Sequence, residues 1–434
     1  MRTSKTRVSD SMLSIFLDLS VLLIALVLLA VLFFFKADTT NIGNILLFSY
    51  TILITVFQLF RLFAAFIAPR TLEYIEKFSN EKYEPFVSIV VPCMNEEEVI
   101  FHTLTQCFKA DWPKDKLEVI FINDGSTDNT AKEVQKVKDI YPELVVINFE
   151  KNQGKREGMV AGFRIAKGEI VVQLDSDSYI EPTKFKHIVA PFINPIIGAV
   201  CAHADVQNSS YNTVTKMQAG YYFIAFRILK AAESALLSVF CCSGCSSAYR
   251  KDVVLPILDQ FLNEYFMGVR VKHGDDRSLT GWILKLGYKA IYTHKVQAYT
   301  IAPHTVKQLF KQQVRWKKSW ISNGFFTFKY IFRIDPFVGV FYYTPLILIS
   351  FLTPVVSFYN LYLLSFANLT LPIAYLSGGL IVTFLYMLYA FRLSKGKKNY
   401  ISYFLLWQFL TVTIFSYILY YSFSRFRDQR WGTR

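Results

Sequence analysis

A chain of 434 residues has room for two or three domains. Its hydrophobic fraction of 53% and mean hydropathy of +0.30 are high for a soluble protein, and the apolar excess sits at the two ends. The net charge of +14 forms no single basic arm and flanks apolar segments, which argues against a nucleic-acid partner and for anionic lipid and an anionic substrate.

Residues 12–35 are almost entirely apolar and follow Arg2, Lys5 and Arg7. That run is long enough to cross the hydrocarbon core, and too long, without a small-x-small site after it, for a cleaved signal. It predicts a retained helix with its N-terminus in the cytoplasm. A second span is expected over 42–68, with Arg61 near its inner end where a long side chain can snorkel. The six cysteines all lie between the terminal apolar regions, at spacings of neither a zinc site nor a disulfide framework, so reduced thiols are expected.

From residue 71 to about 303 the composition is that of a soluble α/β domain. Strands are predicted over 86–92, 117–123, 144–149 and 170–174, alternating with helices, one of them starting at Asn95–Glu98. Alternation of this kind predicts a mostly parallel, doubly wound sheet. The fourth strand ends in Asp175 and Asp177, one residue apart. A buried strand that stops on such a pair delivers two carboxylates to the carboxyl edge of the sheet, where open α/β sheets bind ligands. Hard oxygen ligands there suit Mg²⁺ or Mn²⁺ holding a diphosphate; the alternative is a polar loop that merely ends a strand.

Asp124 follows the second strand in Asp124-Gly-Ser, as a nucleoside contact or a turn aspartate. Asn152-Gln-Gly-Lys155-Arg156 sets two cations after the third strand, near phosphates or on a solvated loop. In His273-Gly-Asp275-Asp276-Arg277, adjacent carboxylates suit a general base for a hydroxyl, or the acidic first turn of a helix. Ser243-Gly244-Cys245 is a small-residue loop suited to close approach by a ligand, and nothing marks Cys245 as a reactive thiolate. Residues 213–234 fit either a membrane-surface helix or a buried core helix. Residues 304–332 mix Lys and Arg with Phe, Trp and Tyr in an interfacial pattern that contains Gln312-Gln-Val-Arg315-Trp316.

Apolar segments return over 338–366, 371–391 and 401–423. Three crossings would put the tail's Arg425, Arg427, Arg430 and Arg434 outside, against the positive-inside preference. The last segment is therefore expected to re-enter or to lie at the interface. The expected division is a transmembrane hairpin (1–70), a cytoplasmic catalytic domain (71–303), interface helices (304–335), a C-terminal transmembrane or re-entrant region (336–424) and a cytoplasmic tail (425–434).

Asp124-Gly-Ser, Asp175-Ser-Asp177, Ser243-Gly244, Gly274-Asp-Asp-Arg277 and Gln312-Gln-Val-Arg-Trp316 follow one another as in the processive, membrane-embedded family 2 glycosyltransferases with a GT-A fold, and the chain resembles them over nearly its whole length. Trp431-Gly-Thr-Arg434 is similar to the terminal signature of hyaluronan synthases and of a related capsular polysaccharide synthase. The resemblance implies a multi-pass plasma-membrane enzyme that polymerises UDP-GlcNAc and UDP-GlcA and secretes the growing polysaccharide. It implies that Asp124 and Lys155 contact the nucleotide, and that Asp175 and Asp177 bind UDP with Mg²⁺ or Mn²⁺. Asp276, with Asp275 beside it, resembles the catalytic base. Arg315 and Trp316 resemble the pair at the diphosphate and acceptor sugar, and Trp431 and Arg434 a segment that closes over the nucleotide. Ser243, Gly244 and Cys245 fall on the acceptor side, where hyaluronan synthases usually have proline in place of Cys245. They also often have aspartate in place of Asn123. The first difference bears on the second sugar, so a related glucuronic acid/glucose or homopolymer synthase is the first alternative. A non-processive lipid-linked glycosyltransferase is another; a transporter with a degenerate domain is disfavoured because the acidic positions are all present.

Overall fold

The computed structural model describes residues 42–77, 83–363, 370–396 and 398–428. The span expected over 12–35 and the tail residues Trp431 and Arg434 lie outside them.

The central layer is an eight-stranded sheet of order β3-β2-β1-β4-β7-β6-β10-β5. Its strands are β1 (Val87–Cys93), β2 (Leu117–Asn123), β3 (Val145–Asn148), β4 (Ile170–Gln173), β5 (Ser178–Ile180), β6 (Ile197–Val206), β7 (Ser247–Arg250) and β10 (Lys289–Thr300). A separate two-stranded hairpin pairs β8 (Tyr265–Phe266) with β9 (Val269–Arg270). Strands β1 to β4 are mutually parallel, β6 and β10 are parallel to each other, and β7 and β5 run against their neighbours. The sheet is thus mostly parallel, as the strand–helix alternation predicts.

The period of two in β1 decides what covers each face. Val90 packs with Met159, Val160 and Phe163 of helix α4 (Lys155–Ile165). Ile89 and Val91 pack with Ile100 and Leu104 of α2 (Ile100–Phe108) and Val134 and Val137 of α3 (Thr130–Ile140). Every residue of β1 is therefore buried. Because β2 leaves β1 on one side and β4 on the other, the strand order reverses at their carboxyl ends and opens a crevice there.

Two local expectations change. The helix expected to start at Asn95–Glu98 opens through a turn: the Glu96 carbonyl accepts from the Ile100 N–H at 3.0 Å, and the regular helix follows a few residues later than expected. The Glu96 N–H donates to Thr130 Oγ1 at 2.9 Å, and Glu97 Oε2 accepts from Asn129 N–H at 2.7 Å, so this turn ties itself to the loop after β2, and α2 begins at Ile100. Helix α1 (Ile42–Glu76) does not stop near Ala68. It continues through Pro69, and Leu72 and Ile75 then bury themselves in the catalytic core.

Among the described residues, three helical stretches are long and apolar enough to cross a membrane: Ile45–Glu76, Pro336–Leu363 and Tyr375–Leu393. The chain is a membrane protein by that measure. The second contains α8 (Thr344–Phe358), with Pro345 in its first turn and Pro354 inside; the third belongs to α9 (Thr370–Leu393). The last apolar segment is broken: Asn399–Phe415, which contains α10 (Phe404–Leu410), meets α11 (Ile418–Ser424) at a 43° bend.

Helix α5 (Thr213–Ile224) takes the buried alternative. Its Tyr221 stacks on Trp407 at 4.1 Å, and Phe223 and Ile224 are buried in the core that joins sheet and membrane helices. Helix α7 (Val306–Phe328) is mixed on both faces: Leu309 and Ile321 are buried beside polar side chains, and Lys307 and Lys311 are exposed beside apolar ones. Gln313, Lys318, Ser319, Ser322 and Asn323 are buried, while Val306, Phe310, Phe325 and Phe328 are exposed. An exposed face that sets Lys307 and Lys311 among Val306, Phe310, Phe325 and Phe328 is the basic–aromatic mixture that suits a membrane surface.

Candidate active site

The crevice at the strand reversal is a cavity of about 370 Å³. It gathers Asp124, Lys155, Asp175, Asp177, Gly244, Asp275, Asp276, Arg315 and Trp316 from separate segments of the chain. Ser243 and Cys245 do not line it, although Gly244 between them does. Burial, and then the charge of Asp175, pushes the Cys245 thiol well above its ordinary range, so it remains a thiol.

Asp124 follows β2, is 3% exposed, and accepts three hydrogen bonds from the loop after β3. These come from the Gln153 N–H at 2.7 Å, the Gly154 N–H at 2.9 Å and Asn152 Nδ2 at 3.0 Å. Burial raises its pKa and these donors oppose the rise. The carboxylate thereby fixes the loop that starts α4 at Lys155.

Lys155 and Arg156, adjacent in sequence, point to different tasks. Lys155 Nζ lies 2.6 Å from Asp175 Oδ1 and 2.8 Å from Asp275 Oδ2. Burial works against its ammonium, but the two carboxylates outweigh it and hold its pKa well above the usual lysine range. Asp275 is likewise driven up by burial and brought below its ordinary value by Lys155. Arg156 turns inward and is spent on structure. It donates to Glu264 at 2.8 Å, to the Phe261 carbonyl at 2.8 Å and to the His273 carbonyl at 3.1 Å, holding the segment that leads into Asp275.

Asp275 and Asp276 occupy the first turn of α6 (Asp275–Lys285), where the helix dipole favours carboxylates. The structural alternative is therefore realised, and both residues also face the cavity. Gly274 sets the turn with φ +71°, and a Cβ there would stand 1.9 Å from Ser319 Oγ on α7. This contact packs the acidic turn directly against the helix that carries Arg315 and Trp316. Asp276 Oδ1 accepts from the Arg277 N–H at 2.7 Å, and Cys241 Sγ lies 3.5 Å from Oδ2. Burial, with Lys318 and Arg315 nearby, lowers the His273 pKa to about 4, so its ring is neutral. Trp316 lies beside Tyr222, ring centres 6.1 Å apart.

Asp175 and Asp177 leave β4 at the cavity floor. The Asp175 N–H donates to the Gly244 carbonyl at 3.1 Å, so β4 and the small-residue loop are joined at that point. A Cβ on Gly244 would lie 2.8 Å from Asp175 Oδ1 and 3.1 Å from Lys155 Nζ, which explains the glycine. Arg270 and Lys272 also line the cavity and were not singled out by sequence. Arg270 is held by Glu157 at 3.0 Å and the Leu262 carbonyl at 2.8 Å. The alternation Arg270-Val-Lys272 just before His273 was the available signal.

Residues 88–258, which hold β1 through β7, match the family model described as glycosyl transferase family 2. The fold is similar to that of a mannosyltransferase from Pyrobaculum calidifontis solved with GDP-Man and Mn²⁺, with TM-score 0.56 and 20% identity, over 84% of this chain and 99% of that one. The chain is a glycosyltransferase with a GT-A fold. It is similar to the hyaluronan synthase of Streptococcus pyogenes serotype M1, 27% identical over 347 residues that cover 79% of this chain and 78% of that one. It is also similar to an N-acetylglucosaminyltransferase of Rhizobium meliloti (strain 1021), 30% identical over 259 residues, 59% and 60% of the two chains.

Proposed function

We propose that this protein is a processive, inverting β-glycosyltransferase that builds an extracellular polysaccharide from UDP-sugars, with hyaluronan from UDP-GlcNAc and UDP-GlcA as the product. The observation that carries the reading is the convergence of Asp124, Lys155, Asp175, Asp177, Asp276, Arg315 and Trp316 on one cavity beside membrane-spanning helices. Similarity to a hyaluronan synthase over most of both chains supports the choice of donors.

The acceptor hydroxyl loses its proton to the Asp276 carboxylate and its oxygen attacks the anomeric carbon of the donor. The anomeric C–O bond to UDP breaks in the same displacement, the bonding pair leaves with the diphosphate, and an α-linked donor becomes a β-linkage. Arg315 and Lys155 face the charge that develops on the leaving group. Trp316 stacks on the acceptor sugar with Gly244 of the Ser243–Cys245 loop opposite. Asp124 holds the loop under the nucleoside.

The donor set fits Mg²⁺ or Mn²⁺. Asp175 and Asp177 offer two hard carboxylate donors at the cavity, and ions of this kind are commonly bound through one or two carboxylates plus substrate phosphates. Asp175 and Asp177 would hold the ion, which when bound supplies charge neutralisation to the diphosphate. The catalytic domain is assigned to the cytoplasm, where UDP-sugars are made, with membrane lipid around the basic–aromatic exposed face of α7. Trp431 and Arg434 are assigned to closure over the nucleotide. The Asp428 carbonyl accepts from Lys318 Nζ on the helix of Arg315 and Trp316, which holds the chain against that helix three residues before Trp431.

A second reading, transfer of N-acetylglucosamine alone, is favoured by the similarity to N-acetylglucosaminyltransferases and by Cys245. The test is polymer synthesis by purified protein with each UDP-sugar singly and in pairs. A requirement for both UDP-GlcNAc and UDP-GlcA, with a hyaluronidase-sensitive product, is expected. Polymer from UDP-GlcNAc alone would establish the second reading instead. Asp276→Asn is expected to keep UDP binding and lose at least about 10³-fold in transfer.

A further inference from the structure

We propose that Cys241 is a positioning residue for transfer, its thiol orienting the Asp276 carboxylate toward the acceptor hydroxyl. The inference rests on the reading of Asp276 as the base. Of the six cysteines, five are buried and Cys241 is half-buried beside the cavity. Its Sγ lies 3.5 Å from Asp276 Oδ2, while Oδ1 accepts from the Arg277 N–H at 2.7 Å. The two carboxylate oxygens are therefore held by different elements, one by its own helix and one by the loop after α5.

That loop is itself anchored. Lys230 Nζ donates to the Cys241 carbonyl. The Cys242 N–H donates to Thr280 Oγ1 at 3.0 Å, and Thr280 Oγ1 donates to the Asp276 carbonyl at 2.7 Å. Three residues further on, the Gly244 carbonyl accepts from the Asp175 N–H. One short strap thus fixes the distance between the carboxylate assigned to the metal and the one assigned to the base.

A thiol suits this position chemically. Burial, and then the Asp276 charge, pushes its pKa up to about 12, so it keeps its proton and can only donate. An S–H donor is weak, so it directs the carboxylate without drawing off the basicity that proton abstraction needs. A guanidinium or ammonium in its place would hold the carboxylate firmly and weaken it as a base.

The test compares Cys241→Val, which keeps the volume and loses the donor, with Cys241→Ser, which keeps a donor. Both are measured beside Asp276→Asn for kcat, KM of each UDP-sugar, and UDP affinity by calorimetry. Cys241→Val is expected to lower kcat about three- to tenfold, the size of one weak hydrogen bond, with KM and UDP affinity within twofold. Cys241→Ser is expected to return kcat to within twofold of the parent. Unchanged kcat in Cys241→Val, a loss confined to KM, or failure of serine to rescue would each overturn the proposal. Full transfer by Asp276→Asn would remove the base assignment and this inference with it. An inactive Asp276→Asn beside a fully active Cys241→Val would remove this inference alone.

Discussion

The Asp124 carboxylate makes a prediction that separates a loop-fixing role from direct contact with the nucleotide. In Asp124→Asn one oxygen still accepts the Gln153 N–H. The new amide nitrogen falls where Oδ2 met the Gly154 N–H at 2.9 Å and Asn152 Nδ2 at 3.0 Å, so donors face a donor. Losing a charge-assisted bond costs about 1.5–3 kcal/mol, and Asn152 recovers part of it by turning its amide over. The loop after β3 would loosen by about 1.5–3 kcal/mol, and Lys155 follows Gly154 directly. At tenfold per 1.4 kcal/mol, UDP affinity is expected to fall about 10- to 100-fold. Calorimetry in detergent gives the affinity, and amide exchange of a peptide spanning 150–158 reports the loop. Weaker UDP binding with unchanged exchange in that peptide would refute the reasoning and leave only direct contact.

Other substitutions test neighbouring contacts. Gly274→Ala places a Cβ 1.9 Å from Ser319 Oγ at φ +71°, and is expected to destabilise the protein by about 3 kcal/mol or more. Ser319→Gly should relieve the clash and leave an αL cost of about 1–2 kcal/mol, both read from thermal unfolding. Gly244→Ala crowds Asp175 and Lys155 together, and should weaken UDP binding by about 1–3 kcal/mol in calorimetry while the fold survives. Burial lowers the pKa of His203 and of His273, so both stay neutral in the fold, while the unfolded chain takes up protons near pH 6.5. Folding stability should therefore be complete above about pH 6.5 and fall below it by up to about 1.4 kcal/mol per pH unit for each ring. A melting temperature unchanged between pH 7.5 and 5.5 would contradict this. Lys398→Met breaks a pair with Asp205 at 2.6 Å that links β6 to the last membrane segment, and should cost about 2–3 kcal/mol.

The parts of the fold legible in sequence were those set by short-range pattern. β1, β2 and β4 are buried on both faces, and their apolar runs bounded by turn residues gave them nearly to the residue. Asp124, Asp175 and Asp276 were legible because each follows a strand or opens a helix, where chain direction alone places a side chain at the edge of the sheet. What sequence left open was set by tertiary contacts. The ambiguity of α5 was resolved by Trp407, nearly two hundred positions away, on which Tyr221 stacks. The helix start at Glu96 and Glu97 was displaced by a few residues because local propensity cannot see Thr130 and Asn129, which hold the turn before α2. Lys155 and Arg156 were equivalent cations in sequence. Both line the cavity, but Lys155 pairs with Asp175 and Asp275 while Arg156 is held by Glu264 and two backbone carbonyls, and nothing local distinguishes them.

On the proposal that α7 lies at the membrane boundary, its arrangement accounts for a site placed beside the membrane. A helix with Phe310, Phe325 and Phe328 exposed would be a liability in water, while its buried Gln313, Lys318 and Asn323 would be costly in lipid. A membrane boundary accommodates both, with the aromatic and basic exposed face outward and Arg315, Trp316 and Ser319 toward the cavity. Ser319 touches Gly274, so the depth of the helix in the boundary and the placement of Asp275 and Asp276 are set together. Arg315 and Trp316 lie one helical turn before Ser319, and any shift of α7 moves them relative to Asp276. The catalytic constellation is therefore completed by the membrane-boundary helix rather than by the sheet alone. Residues 88–258, which match the family model, contain neither Asp276 nor Trp316, so on this geometry the isolated segment should bind nucleotide weakly and transfer no sugar. Transfer by a fragment lacking α7 would refute that account.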